Sequence, residues 1–241
     1  MTLRHSAFTL LGKLLGPAGV AVVKRDATTL VRRARFMDQA GITLVLDIGA
    51  AKGAYGRWIR SSGYTERIVS YEPLQLSFAE LERQTADDPL WESKRLALGS
   101  HTGTAMLHVA GNQDSSSVLP MLDRHVREAP RSAPVGVEEV EVTTLDEQRA
   151  LVGGDDVLML KLDTQGNERA VLDGGLELLA SVRLIEIELS LVPLYEGAPL
   201  WLEMIEYLEQ LGLEPIWLER GFTARDGRLL QVDGIFARAS D

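Results

Sequence analysis

Leu44-Val45-Leu46-Asp47-Ile48-Gly49-Ala50-Ala51-Lys52-Gly53-Ala54-Tyr55-Gly56 decides the fold. An apolar run ends in a carboxylate, glycines follow, and a helical pattern runs from Tyr55 to Arg60. A buried parallel strand hands over to a helix N-terminus in this way, with a ligand in the bend. Glycine there lets backbone approach a ligand where a Cβ would block it. A dinucleotide loop would turn G-x-G-x-x-G toward a pyrophosphate, and a fixed carboxylate is badly placed beside a dianion. The D-x-G-x-x-x-G arrangement suits a nucleoside that carries an ammonium group and no phosphate. The competing reading makes Asp47 a cap of the following helix.

Working outward, strands and helices alternate. Strand 43–48, helix 54–62, strand 67–71 and helix 76–86 come first. Arg95-Leu96-Ala97-Leu98 reads as the third strand. Residues 104–110 and 137–143 read as extra strands around a polar insertion, 111–135. Strand 157–162, helix 167–180, strand 183–189, helix 199–211, strand 214–219 and a strand near 230–238 complete the chain. This alternation implies a parallel sheet with right-handed crossovers. The last two strands have only a short turn between them and should pair as an antiparallel hairpin. The chain divides into a helical lead-in, residues 1–40, and one domain, residues 41–241.

In an open α/β sheet, ligands bind at the carboxyl ends of the strands. Asp47, Gly49 and Gly53 stand after the first strand. Glu72 follows the second, where a carboxylate accepts hydrogen bonds from a ribose diol. Ala97 and Leu98, apolar and flat, offer a wall for an adenine. Asp163 follows the fourth strand and Glu188 the fifth. Together these favour S-adenosylmethionine (SAM) as the ligand, held by Asp47, Gly49, Ala51, Gly53, Tyr55, Glu72, Pro73, Ala97 and Leu98. Asp163 has a second reading as a helix N-cap, and of Glu186 and Glu188 one reads as a structural ion pair. His101, His108 and His125 have no metal-ligand spacing. Ser115-Ser116-Ser117 lacks the setting of a nucleophile elbow.

The 241 residues carry a net charge of −10, unevenly spread. Residues 1–40 hold seven basic and two acidic side chains, while the rest hold 18 basic and 33 acidic. So acidic a body excludes nucleic acid as its partner. There is no Cys, hence no disulfide or thiolate metal site, which fits a cytoplasmic protein. Leu10, Leu11, Leu14, Leu15, Val20, Val22 and Val23, with Lys24, Arg25, Arg32, Arg33 and Arg35, make three readings of the N-terminus. They are a lead-in packing on the domain or on a homodimer partner, transient contact of residues 1–35 with an anionic membrane, and a signal peptide, against which Lys13 within the apolar stretch counts.

Seven segments in order resemble the FkbM family of SAM-dependent methyltransferases: Leu46–Ala50 with Gly53, Tyr71-Glu72-Pro73, Ala97-Leu98-Gly99, Asn112–Ser117, Val142–Asp146, Leu160–Gly166 and Glu188–Gly197. The resemblance covers roughly residues 43–238. It implies a Rossmann-like class I methyltransferase fold, with a mostly parallel seven-stranded sheet, a C-terminal antiparallel hairpin strand and an inserted β segment. It also implies methyl transfer to a hydroxyl of a sugar, glycolipid or polyketide-type acceptor. The family usually has Asn where Ala51 stands and often Glu where Gln165 stands; Asp163-Thr164-Gln165-Gly166 looks like a subgroup. A hydroxyl acceptor must lose its proton, so a base is required. Asp163 is the first candidate, with Glu188 and His108 in reserve. A metal version has Asp163 and another carboxylate holding Mg²⁺. Tyr195, Trp201 and His125 are expected to offer surface to the acceptor. A nicotinamide-dependent oxidoreductase and a non-catalytic binding protein are the rival readings.

Overall fold

The structure, a computed structural model, describes residues 29–239. In chain order it begins with α1 (Thr29–Ala40), β1 (Leu44–Ile48), α2 (Ala54–Ser61), β2 (Arg67–Tyr71), α3 (Gln75–Thr85) and β3 (Trp91–Lys94). Next come β4 (Ala97–Leu98), β5 (Gly103–Ala110), α4 (Asp123–Glu128), β6 (Pro134–Thr143) and β7 (Leu158–Leu162). The chain ends with α5 (Glu168–Asp173), α6 (Leu176–Leu179), β8 (Val182–Ser190), α7 (Trp201–Gln210), β9 (Leu213–Arg220) and β10 (Gln231–Arg238).

Every residue of β1 and β7 is buried, which is why both read as apolar runs interrupted only by Asp47 and Lys161: such strands are covered on both faces. They lie side by side, parallel, in a seven-stranded sheet of order β3-β2-β1-β7-β8-β10-β9. Only β10 runs against its neighbours, pairing antiparallel with β8 and β9. Alternation along the strands divides the core in two. Leu46, Leu160, Ile185 and Phe236 meet Val171 and Leu172 of α5 and Met204 and Leu208 of α7. Val45, Ile68, Met159 and Leu184 pack with Met37 of α1, Ile59 of α2 and Leu81 of α3. A smaller sheet, β4-β6-β5, stands beside the carboxyl ends over its own cluster of Leu74, Ala97, Leu107, Val140 and Val142.

Two expectations are corrected. The third strand of the main sheet is Trp91–Lys94, pairing with Ile68–Tyr71; Ala97-Leu98 instead pairs with Val142-Thr143 in the small sheet. The helix expected over 167–180 breaks into α5 and α6 at Gly174-Gly175. A Cβ on Gly174 would lie 2.1 Å from the Gly99 carbonyl oxygen, and one on Gly175 2.5 Å from Leu145 Cβ. The break lets the chain pass close to the β4 segment. Of the lead-in, α1 packs against the domain; residues 1–28, on which most of the membrane expectation falls, lie outside the described residues. Arg32 stacks over the Trp217 ring at 3.8 Å and Arg33 reaches Glu186 at 2.6 Å, so two of the basic residues are engaged within the fold.

Candidate active site

Because successive residues of a strand face opposite sides, the end of β1 splits its functional residues. Ile48 and Gly49 turn to a crevice, while Asp47 turns to the face covered by α1 and α2. The crevice is lined by Gly49, Ala51, Glu72, Pro73, Leu96, Ala97, Leu98, Gln113, Ser116, Asp163, Thr164 and Asn167, among others. Gly49, at φ 80, is required there: a Cβ would lie 2.0 Å from the Asp163 carbonyl oxygen. The Gly loop and the end of β7 therefore touch, and Asp163 N–H donates to the Ile48 carbonyl at 3.0 Å.

Glu72 is buried at the end of β2. Ala51 N–H donates to its Oε2 and Leu74 N–H to its Oε1, both at 2.9 Å. Each oxygen keeps a second lone pair for a hydroxyl donor in the crevice. Burial pushes this carboxyl up to about 7, against the two backbone hydrogen bonds. Ala97, Leu98, Pro73 and Leu107 give the crevice its apolar walls. Buried Thr164 Oγ1 has no hydrogen-bond partner, and its residue lines the same crevice. A paired acceptor, apolar walls and an unengaged hydroxyl fit an adenosyl group, as the sequence suggests. Lys52 Nζ stands 4.0 Å from Asp114 Oδ1, linking the Gly loop to the 111–117 turn.

Asp163 is the polar residue at the inner end. Lys161 Nζ donates to its Oδ2 at 3.1 Å, and Gln165 Nε2 to its Oδ1 at 2.7 Å. The same amide donates to Glu188 Oε2 at 3.0 Å, and Gln231 Nε2 donates to that oxygen at 2.7 Å. Gln165 is held in turn by the Tyr195 hydroxyl, 2.7 Å from its Oε1 and 2.9 Å from the Ser115 carbonyl, with one proton for the two acceptors. Its backbone is left-handed, φ 56, a conformation a non-glycine residue keeps only where its surroundings impose it. Gln165 thus joins the two carboxylates, a role invisible in the sequence beyond its departure from Glu.

Behind the site runs a buried polar row. Asp47 pairs in register with Ser70 and Lys161, and Lys161 with Glu186. Trp91 Nε1 donates to Ser70 Oγ, and Ser70 Oγ to Asp47 Oδ2, both at 2.9 Å. Tyr55 donates its hydroxyl to Glu186 Oε2 at 3.0 Å, opposite Arg33. Burial raises Asp47 to about 6 and Glu186 to about 7, with Lys161 and Arg33 opposing.

The structure brings Gly49, Ala51, Glu72, Pro73, Ala97, Leu98 and Asp163 together around one crevice and sets Glu188 one amide away. It does not bring in the rest. Asp47 and Tyr55 belong to the row behind; neither lines the crevice, since their side chains lie on the other face of the sheet. Asp47 is no helix cap either, because Gly53 holds that position with φ 75. Gly53 faces Leu81 and Trp91 in the core. His108 lines a separate recess with Ser115, Ser117 and Tyr195. Asp163 does not cap α5, whose N-cap is Asn167, and of the two glutamates Glu186 is the structural ion pair. Tyr195 and His125 are buried against each other, ring centroids 5.2 Å apart, so they support the insertion from inside and offer little surface to an acceptor. Trp201 packs on the main core. The Mg²⁺ version finds no support: an ammonium already occupies Asp163 Oδ2, and the described residues contain no group of three or more acidic, His or Cys side chains able to hold a metal.

The sheet order and the crevice at its carboxyl ends define a Rossmann-like methyltransferase fold. Several solved structures are similar to this chain at low identity. TehB from Haemophilus influenzae is 10% identical with a TM-score of 0.46, over 94% of this chain and 66% of that one, slightly under two thirds of TehB's length. Fibrillarin from Aeropyrum pernix, solved with natively bound S-adenosyl-L-methionine, is 13% identical with a TM-score of 0.45, over 81% and 66% of the two chains. An rRNA methylase from Streptococcus thermophilus is 9% identical with a TM-score of 0.47, over 91% and 100%. No curated protein matches. The model of the methyltransferase FkbM domain matches residues 47–215, and the chain belongs to that family.

Proposed function

We propose that this chain transfers a methyl group from SAM to a hydroxyl oxygen of a small-molecule or glycolipid acceptor, a sugar or polyketide-type natural product. The observation that carries the reading is the position of Asp163. It lines the crevice of Glu72 and the Ala97-Leu98 wall, and Lys161 of β7 and Gln165 of the following loop hold its two oxygens. Glu72 accepts the ribose hydroxyls, Ala97 and Leu98 flank the adenine, and Gly49, lacking a Cβ, lets the loop after β1 close onto Asp163. SAM supplies an electrophilic methyl group when bound. Asp163 receives the acceptor's proton, and its fixed geometry supplies positioning, the larger share of the acceleration for an in-line displacement. Family membership supports methyl transfer; the oxygen acceptor rests on the need for a base that Asp163 meets.

Thermal shift with SAM, its demethylated product S-adenosylhomocysteine (SAH) and NAD tests the cofactor. Stabilisation by the first two alone supports the reading, and stabilisation by NAD alone overturns it. Mass spectrometry of extracts incubated with isotope-labelled SAM then identifies the acceptor; a label found only on nitrogen or carbon defeats the oxygen assignment. With that acceptor, Asp163→Asn keeps SAM binding and lowers turnover by about 10²-fold or more. Unchanged turnover removes Asp163 from the role of base.

A further inference from the structure

Glu188 is held by two neutral amides. Gln165 and Gln231 both donate to its Oε2, at 3.0 and 2.7 Å, and among the described residues no ion pair reaches it. The cations nearby are committed elsewhere, Lys161 to Asp163 at 3.1 Å and Arg33 to Glu186 at 2.6 Å. Its acidic company comes from three elements: Asp163 after β7, Glu168 on α5, and Asp233, its register partner on β10. Tyr195 and Lys161 complete the ionisable groups facing it. A half-buried carboxylate set among other carboxylates, with no cation of its own, is unfavourable, and such a group holds its proton more tightly than a free one. Asp163, one amide away, is the member of this set that borders the crevice.

We propose that the Asp163–Glu188 pair, bridged by Gln165, stores one proton, releases it when the cationic methyl donor binds, and retains it when the neutral demethylated product binds. This rests on the SAM reading above. A positive ligand beside Asp163 stabilises the doubly ionised pair; a neutral one does not. During transfer the acceptor's O–H bond and the S–CH₃ bond break, the O–CH₃ bond forms, and the electron pair of the broken S–C bond stays on sulfur. The acceptor's proton refills the pair, so the charge of the closed site does not change. Exchange of product for a fresh donor sends the proton to solvent. Glu188 is in this scheme a positioning residue for charge, acting through Asp163. Burial and the neighbouring carboxylates raise it well above the usual carboxylate range, in agreement with the geometry.

SAM and SAH differ by one methyl group and one charge, so their comparison isolates the effect without any acceptor. Each is titrated calorimetrically into the full-length protein in phosphate and in Tris at pH 7.5, two buffers of different ionisation enthalpy. The slope of heat against that enthalpy counts the protons exchanged. Ionisation of Glu72 by ribose contacts is common to both ligands and cancels. SAM is expected to release more protons than SAH, by on the order of one. Glu188→Gln, with SAH binding intact as its fold control, is expected to abolish the difference. Asp163→Asn gives the same result if the glutamine variant fails to fold, because the proton belongs to the pair. Equal proton release for the two ligands in the wild type overturns the proposal and leaves the cofactor reading standing, as does a difference that survives both substitutions. Failure to bind either ligand ends both.

Discussion

Ala51 sits at φ 46, where an L side chain other than Asn or Gly is disfavoured by roughly 1–2 kcal/mol. The FkbM resemblance, with its Asn here, has a backbone explanation that the sequence could not supply. The position is left-handed because Ala51 N–H must turn toward Glu72. Ala51→Asn should therefore stabilise the fold by about 0.5–1 kcal/mol, read as a rise of roughly 1–4 °C in Tm. Ala51→Gly should be close to neutral, since relief of strain is offset by the freedom glycine gains in the unfolded chain. A drop in Tm for the Asn variant would show that the strain is illusory. Glu72 carries a second prediction at this scale. Only its ionised form can accept from both ribose hydroxyls, and burial has raised it to about 7. Affinity for SAH should then fall as pH drops through 7, approaching about 10-fold per pH unit at the acid end. Glu72→Gln should bind more weakly at pH 8 and lose that slope.

Helix α2 shows how far an element was legible. Its helical pattern and the preceding glycines are plain in the sequence, but its packing partner is not. A Cβ on Gly56 would lie 2.1 Å from Trp91 Cζ2, so the helix presses its backbone onto an indole from β3. Alanine in a helix interior gains about 1 kcal/mol over glycine, while overpacking costs about 1–3 kcal/mol, and a clash this deep with a ring fixed by Ser70 favours the larger figure. Gly56→Ala should lower Tm by a few degrees, with Gly136→Ala, which meets nothing within 4 Å, as the neutral control; a rise in Tm for Gly56→Ala would refute the packing. The same indole explains the misread third strand. Trp91-Glu92-Ser93-Lys94 buries only its first residue fully, as an edge strand does, so its composition looks polar beside the apolar Leu96-Ala97-Leu98. The strands buried on both faces, β1 and β7, could be read from sequence because their burial leaves a single polar position in each, Asp47 and Lys161. The crevice residues at strand ends could be read because topology puts them there. What stayed hidden was the side of the sheet each strand-end residue takes: Asp47 and Tyr55 against Gly49 and Glu72. Gln165 stayed hidden because its function depends on Glu188 and Tyr195, which lie 23 and 30 residues away.

At the scale of the whole molecule, the polar row beneath the site stores a pH dependence. Asp47 and Glu186 are fully enclosed and Glu72 nearly so, and burial raises them from ordinary carboxylate values to about 6, 7 and 7 respectively. A carboxyl raised in the folded state still holds its proton at a pH where the unfolded chain has lost it. The folded state therefore binds more protons, and stability must fall as pH rises from about 4 to about 7, then level off. Lys161 and Arg33 moderate this without reversing it, since both carboxyls stay raised despite their attraction. Most carboxylates in ion pairs act the opposite way, but the described ones that are held low, such as the half-buried Asp88 beside Arg60, lie at the surface and contribute little. The ligand-free protein should accordingly melt several degrees higher at pH 5.5 than at pH 8. Asp47→Asn keeps the hydrogen bond from Ser70 and removes one buried ionisation, so it should flatten the profile and gain most over the wild type at pH 8. Scanning fluorimetry across pH 5–9 decides the matter: a Tm that rises with pH, or an asparagine variant with an unchanged slope, would mean that the row is ionised and well paired at every pH. A SAM-saturated sample should show a smaller fall than the free protein, because the ligand binds best to the ionised Glu72 that the empty fold disfavours.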